Sequence, residues 1–307
     1  MTVGRFAPTP SGRMHLGNVW SALLAWLSVR SAGGELVLRI EDLDPLRCPG
    51  EFAVLIRDDL RWLGLDWDRE QAPQRERTAA YDEIFHMLEA RGLLYPCYCS
   101  RAGIHAASAP HAADGRPIYA GTCRNLTPEE RAGKKKAPAW RVQVPDRDYG
   151  FYDGVQGDFV ENLARDWGDF SVRRPDGIYA YQLAVVADDA AGGITEVVRG
   201  RDLLASTPCQ LYLYELLGAT PPVFYHVPLL SAPGGRRLSK RDRDLDMGAI
   251  RERYRPEEVL GALGALAGLI PEGETASALE LAGSFSWDKI PRDDLILSGF
   301  DERRGAQ

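Results

Sequence analysis

The stretch Arg5-Phe6-Ala7-Pro8-Thr9-Pro10-Ser11-Gly12-Arg13-Met14-His15-Leu16-Gly17-Asn18 links a short apolar run, Val3 to Ala7, to a helical pattern from Asn18 to about Ser31. This order predicts strand, loop, helix. Open α/β sheets bind ligands outside the carboxyl ends of their strands, and a helix amino terminus offers phosphate free N–H groups and a positive dipole end. Two prolines stiffen the loop, and Gly12 and Gly17 carry no Cβ that would keep a nucleotide away. His15 can donate a hydrogen bond to a phosphoryl oxygen as negative charge builds up on it. Gly33 and Gly34 then stop the helix, and Glu35 to Ile40 reads as a buried strand ending in Glu41 and Asp42. The natural assembly is a parallel βαβ unit with a right-handed crossover.

Beyond this unit, helical patterns cover Gly50–Leu63 and Thr78–Arg91. From Tyr95 to Ala139 the texture changes to Cys, His, Ala, Gly and Pro, which marks an insertion module. Inside it Thr127-Pro128-Glu129-Glu130 carries the signature of a helix start, with Thr127 as cap and Glu130 reaching back. Strand character returns in Tyr179–Val186 and Ile194–Val198. Amphipathic segments follow at about Leu203–Leu217 and Pro256–Leu269, and the last thirty or so residues are weakly patterned.

The 307 residues, 45% hydrophobic and 26% charged, have a globular balance and enough length for a sizeable core. No apolar run approaches the roughly 20 residues that span a bilayer, and no secretory signal opens the chain. A cytoplasmic location without membrane contact is therefore expected. A net charge of −7 argues against a broad electrostatic grip on nucleic acid. Any RNA contact must be local, at Lys134–Lys136, Arg236–Arg243 or Arg251–Arg255, although short charge runs are more often solvated faces.

The amino-terminal segment closely resembles the HIGH-motif region of class I aminoacyl-tRNA synthetases, and its Arg-Phe-Ala-Pro-x-Pro-x-Gly opening resembles that of the glutamyl branch. Asn18 stands where the motif's name has a second His. Far downstream, Arg237-Leu238-Ser239-Lys240-Arg241 resembles the KMSKS loop in its glutamyl form, with Gly234 and Gly235 before it, as a mobile loop requires. The resemblance implies an α/β fold: a Rossmann-type parallel-sheet catalytic domain, a zinc-containing insertion and a helical carboxyl-terminal region. It also implies the reaction, in which an amino acid carboxylate attacks the α-phosphorus of ATP and expels pyrophosphate. The protein then has to position reactants and stabilise charge, and needs no nucleophile of its own. His15 and Lys240 are the expected catalytic residues, acting with the Mg²⁺ that ATP brings. Pro8, Gly17, Asn18, Leu238 and Ser239 complete the expected ATP contacts.

Glutamate carries two carboxylates and an ammonium, so its site needs at least one arginine and one acid. Arg5 and Glu41 lie near the carboxyl ends of the first two expected parallel strands. By resemblance, Arg5 takes a substrate carboxylate and Glu41 helps to hold the ammonium, with Ala7 and Thr9 in the same lining. The segment Tyr181-Gln182-Leu183-Ala184-Val185-Val186-Ala187-Asp188-Asp189, leading to Val198-Arg199-Gly200, also resembles the glutamyl enzymes and nominates Tyr181 and Arg199. Which arginine holds which carboxylate stays open. Val185 stands where those enzymes tend to carry Asn.

Five cysteines are an odd number, and Cys97 and Cys99 are too close to suggest a secreted disulfide framework. Cys97, Cys99 and Cys123 could bind one structural zinc ion with a fourth ligand. His105 and His111 are chemically the more usual choices. Tyr119-x-x-x-Cys123 instead matches the short glutamyl paralogues, whose pattern implies Tyr119. Cys48 and Cys209 read as ordinary thiols.

Only Arg241–Gln307 follows Lys240, too little for a further domain of typical size. No anticodon-binding domain is expected. Along essentially its whole length the chain resembles the glutamyl-queuosine tRNA(Asp) synthetases, truncated paralogues of glutamyl-tRNA synthetase. That resemblance implies the partners ATP, L-glutamate and the anticodon loop of tRNA(Asp) bearing queuosine, and a monomer. The expected division is a catalytic domain (1–94 and 140–235), an insertion (95–139) and a loop with a helical region (236–307). A minimal synthetase charging a tRNA acceptor end, a noncatalytic nucleotide- or RNA-binding relic, and transfer to another carrier remain alternatives.

Overall fold

A computed structural model describes residues 1–100, 102–104, 118–231 and 245–297. Its central sheet contains β1 (Val3–Phe6), β2 (Glu35–Arg39), β3 (Arg69–Gln71), β6 (Asp148–Asp153), β7 (Gly157–Asn162), β9 (Glu196–Gly200) and β10 (Val223–Val227), in the order β3-β2-β1-β9-β10-β6-β7. Every pairing is parallel except β6 with β7. Three strands, β4 (Leu94–Cys97), β5 (Ala139–Val142) and β8 (Phe170–Arg173), form a separate antiparallel sheet. The short strands β11 (Leu230–Ser231) and β12 (Leu295–Ile296) pair with each other.

Helices cover both faces of the main sheet, as a parallel sheet buried on two sides demands. On one face lie α1 (Leu16–Ser31), α2 (Gly50–Trp62), α7 (Met247–Arg253), α8 (Pro256–Leu266) and α9 (Ala278–Ser284). On the other lie α3 (Thr78–Ala90), α5 (Tyr181–Ala191) and α6 (Thr207–Leu217). The short α4 (Pro128–Ala132) belongs to the segment between β4 and β5. Helix α1 is apolar almost all round because it packs against β1, β9 and α9 together.

The expected βαβ unit is present: β1, α1 and β2 follow in order, with Arg5 beside Val37 and Phe6 beside Leu38. On its other side β1 meets β9, so strand order reverses between them. This switch point is where an open α/β sheet accommodates a ligand. Thr127 caps α4 and Glu130 returns the bond, as read from sequence.

Three readings of the sequence need correction. Tyr179–Val186 is not a strand: Tyr181 to Ala191 forms α5. A short apolar run fits both periods, and this one crosses over the sheet before β9, burying Leu183, Ala184, Val186 and Ala187. Helix α1 begins at Leu16, because His15 rather than a later residue is its cap. The weakly patterned end contains α9, started by a Ser277 and Glu280 capping box, and β12.

Candidate active site

The carboxyl ends of β1 and β9 and the turn after β2 open on one cleft of about 460 Å³. Arg5, Ala7, Pro8, Thr9, His15, Gly17, Asn18, Glu41, Tyr181 and Arg199 all line it. These are all the ATP and glutamate contacts expected from sequence that fall among the described residues. Leu238, Ser239 and Lys240 lie outside the described residues.

At the mouth of α1 the cap and the expected phosphate contact are one residue. His15 Nδ1 accepts from the Gly17 N–H at 3.1 Å, and Asn18 Oδ1 accepts from the His15 N–H at 3.1 Å. The pair forms a reciprocal capping box. An Nδ1 that accepts leaves the ring proton on Nε2, so that nitrogen is the donor of the ring. Asn18, the departure from the motif's name, thus has a local structural use. The loop ahead of the helix is anchored by Arg13, which binds Asp59 of α2 through both oxygens. Asp59 also receives Arg251 of α7 at 2.8 Å, and the Met247 N–H donates to the Met14 carbonyl at 2.9 Å.

Deeper in the cleft, five charged residues share a buried network. Arg39 of β2, fully buried, donates to Asp189 at 2.6 Å and to Glu41 at 3.1 Å. Asp188 lies 3.9 Å from the same guanidinium and accepts from Gln74 and Tyr81. Arg5 donates from Nη1 to the Val198 carbonyl at 3.1 Å, while its Nε stands 3.7 Å from Asp189 without a hydrogen bond. Burial pushes the Glu41 carboxyl above its ordinary range, against the pull of Arg39 and Arg5. The Tyr181 phenol is likewise raised by burial.

Arg199, at the end of β9, is 5% exposed, and its partners are neutral. Nε donates to His226 Nε2 at 2.9 Å, Nη2 to Thr207 Oγ1 at 2.8 Å and Nη1 to the Tyr181 hydroxyl at 3.5 Å. Among the described residues it makes no ion pair with a carboxylate. Burial lowers its pKa, and the neighbouring Arg5 lowers it further, against the pull of Tyr181 and of the more distant Asp189 carboxylate. A buried guanidinium without a counter-ion is costly and favours an anion from solution.

Away from the cleft, the sulfurs of Cys97, Cys99 and Cys123 lie within 4.8 Å of one another and could hold a metal ion. The Cys99 and Cys123 sulfurs are 3.6 Å apart, and the Tyr119 hydroxyl is 3.3 Å from Cys97 Sγ and 3.9 Å from Cys99 Sγ. Metal–sulfur bonds of about 2.3 Å in a tetrahedron place sulfurs about 3.8 Å apart, close to this spacing. Burial and the neighbouring sulfurs push the Cys99 thiol up to about 11, a cost that a bound cation would reverse. Gly168 brings Tyr119 to this cluster: it has φ +67°, and a Cβ there would stand 2.1 Å from the Tyr119 carbonyl oxygen. His105 and His111, the alternative fourth ligands, lie outside the described residues.

The model of the class I tRNA synthetase catalytic domain, E and Q type, matches residues 1–288. The chain belongs to that family. The synthetase is 45% identical over 311 residues to the glutamyl-Q tRNA(Asp) synthetase of Nitratidesulfovibrio vulgaris, covering 96% of this chain and 95% of that one. Identity to the corresponding protein of Symbiobacterium thermophilum is 48%, covering 97% and 96%. Among solved structures it resembles a glutamate tRNA ligase from Elizabethkingia meningosepticum in complex with its amino acid, at 28% identity and a TM-score of 0.81. The match covers 97% of this chain and 67% of that ligase. A putative arginyl tRNA synthetase from Campylobacter jejuni, 11% identical with a TM-score of 0.51, shares the fold alone.

Several site residues escaped the sequence reading. Arg39 was one residue of a strand, and Asp188 and Asp189 were quoted without a role. His226, Asp153 and Asp59 were not noticed at all. Each has a partner on a different element, from 27 to 150 residues away, a separation no local spacing reveals. The Gly33-like punctuation at Gly168, a lone glycine after Trp167, was the one readable hint of the close approach to Tyr119. Val185 is buried in the core of α5 and does not line the cleft.

Proposed function

We propose that the synthetase activates L-glutamate with ATP and transfers the glutamyl group to queuosine at the wobble position of tRNA(Asp). What carries the glutamate reading is the convergence of Arg5, Arg199 and Glu41 on the cleft that α1 caps with His15. Two guanidiniums and one carboxylate match the charges of glutamate, two carboxylates and an ammonium. Arg199, which has no carboxylate partner among the described residues, suits one substrate carboxylate, and Arg5 suits the other. Glu41 faces the ammonium, Tyr181 helps to fix Arg199, and Ala7 and Thr9 form the wall. The names of the relatives that match end to end support queuosine as the acceptor.

In this reading ATP lies across Pro8, Gly17 and Asn18, with His15 donating from Nε2 to its phosphates. Leu238, Ser239 and Lys240, outside the described residues, are assigned the remaining ATP contacts, and Mg²⁺ bound to the nucleotide would neutralise phosphate charge. The glutamate carboxylate attacks the α-phosphorus and pyrophosphate leaves; a queuosine hydroxyl then attacks the acyl carbon of the glutamyl-adenylate, gives up its proton, and AMP leaves. Zinc held by Cys97, Cys99, Cys123 and Tyr119 has a structural part, because four protein donors leave no open position. The insertion spans 95–139, the catalytic domain 1–94 and 140–235, and the remaining region 236–307. The pairing of Cys97 with Ala139 supports this division. The proposal takes the enzyme as a cytoplasmic monomer; no helix among the described residues is long and apolar enough to cross a membrane.

Labelled glutamate and ATP, incubated with tRNA(Asp) carrying or lacking queuosine, test the proposal. Label should appear only on the queuosine form, away from the terminal adenosine. Equal labelling of both forms overturns the acceptor, and absence of glutamate-dependent ATP–pyrophosphate exchange overturns the activation step.

A further inference from the structure

Behind Arg199 stands a hydrogen-bonded line that ends far from the cleft. His226 is fully buried on β10, next to Arg199 in register on β9. Its Nδ1 lies 2.6 Å from Asp153 Oδ2, and its Nε2 accepts from Arg199 Nε at 2.9 Å. Asp153, fully buried at the end of β6, also accepts the backbone N–H groups of His226, Val155 and Gln156 at 2.8 to 3.1 Å. Such a carboxylate stays ionised: burial opposes this, but His226 and these N–H groups hold it below the ordinary aspartate range.

The ring has only one arrangement that satisfies both neighbours. Asp153 needs a donor at Nδ1 and Arg199 needs an acceptor at Nε2, so the imidazole is neutral with its proton on Nδ1. Burial, reinforced by the positive charges of Arg199 and Arg5, lowers its pKa to about 4. Asp153, Arg199 and Arg5 are the charged groups that act on it. The arrangement orients Arg199 without neutralising it. An aspartate placed directly against Arg199 would orient it equally well, but would take the place of a substrate carboxylate.

We propose that His226 and Asp153 are positioning residues that hold Arg199 by an uncharged acceptor, so that a carboxylate of the amino acid substrate becomes its counter-ion. The inference rests on the reading of Arg199 as a glutamate contact. Asp153→Asn puts an amide N–H within reach of Nδ1, which reverses the tautomer and turns an N–H toward Arg199, as in other orienting carboxylate–histidine pairs. His226→Phe removes the acceptor. His226→Gln restores it, since one amide can accept from Arg199 and donate to Asp153.

The test is glutamate-dependent ATP–pyrophosphate exchange of the full chain, with KM for glutamate and for ATP measured separately. Asp153→Asn and His226→Phe should raise the glutamate KM about tenfold to a hundredfold, the range of a lost charged contact, with the ATP KM within about twofold. His226→Gln should recover most of the loss seen with Phe. In an Arg199→Met background, His226→Phe should add nothing further. A glutamate KM unmoved in both first variants, or parallel rises for glutamate and ATP, overturns the inference. Should His226→Phe fail to fold, Asp153→Asn and His226→Gln decide by the same two constants. If Arg199→Met itself leaves the glutamate KM unchanged, the reading of Arg199 fails. If only Arg199→Met raises it, the positioning role alone fails.

Discussion

The Asp59 carboxylate, sealed within α2, holds the Arg13 guanidinium side-on, with Nη2 to Oδ1 at 2.9 Å and Nε to Oδ2 at 3.2 Å. Arg251 binds the same Oδ1. One buried acid therefore fastens the loop that precedes α1 to the helix that resumes the chain after the second signature motif. Both pairs are partly shielded from water, so their geometry outweighs that of the exposed ion pairs elsewhere on the surface.

Asp59→Ala takes the buried carboxylate from Arg13 and leaves Arg251 with Asp58. Loss of one partner from a buried pair costs about 3 kcal/mol, and the melting temperature should fall accordingly. Asp59→Asn keeps the shape and should lose less stability while still raising the ATP KM severalfold. An ATP KM equal to that of the parent in both variants would contradict this role.

The Glu41 carboxyl keeps its proton to higher pH than in the unfolded chain, because burial outweighs Arg39 and Arg5. Its contribution to stability is therefore full below the unfolded value and lost as pH rises through the folded one. Glu41→Gln, uncharged throughout, should melt no lower than the parent at neutral pH yet bind glutamate at least tenfold more weakly. Calorimetric titration with glutamate and a thermal scan check the two halves, and undiminished binding would remove Glu41 from the ammonium site.

At the cysteine cluster, Cys99→Ser should lower bound metal from about one ion per chain to a small fraction. Gly168→Ala should do the same from a distance, because its methyl group would collide with the Tyr119 carbonyl. Elemental analysis of the purified proteins gives the answer. Full metal content in Gly168→Ala would mean that Tyr119 is not held in place by this contact.

Acid should destabilise the fold in a window set by His226. Its imidazole is pushed down to about 4 by burial, from the usual 6.5. The unfolded chain then binds more protons between these values, so stability present above pH 6.5 is lost as pH falls toward 4. The drop amounts to roughly 3 kcal/mol at most. Asp153, held below its ordinary range, adds its own loss at still lower pH. Urea unfolding at successive pH values should show a shallower decline for His226→Gln, and identical slopes would assign the acid lability elsewhere.

Much of the cleft could be read along the chain, because Arg5 through Asn18 is continuous and a strand, loop and helix dictate where it points. Glu41 followed from the same logic, two residues beyond a readable strand. Arg199 and Tyr181 are legible by resemblance alone: Tyr181 reaches the cleft as the first residue of a helix, where the apolar run Tyr179–Val186 reads as a strand. The supporting layer was not legible. Arg39 meets Asp189, and Asp153 meets His226, across separations of 150 and 73 residues. Such pairs are chosen by sheet order, which periodicity does not encode.

Cys97 and Ala139 sit side by side on adjacent antiparallel strands. The chain therefore departs from the small sheet and re-enters it at the same level. The pairing itself sets how Tyr95 faces Arg141, and the pairing of β9 with β10 sets where Arg199 stands. The cysteine cluster, with Cys97 on the small sheet, and the cleft, with Arg5 and Arg199 on the large one, are thus aligned by separate sets of strand pairs.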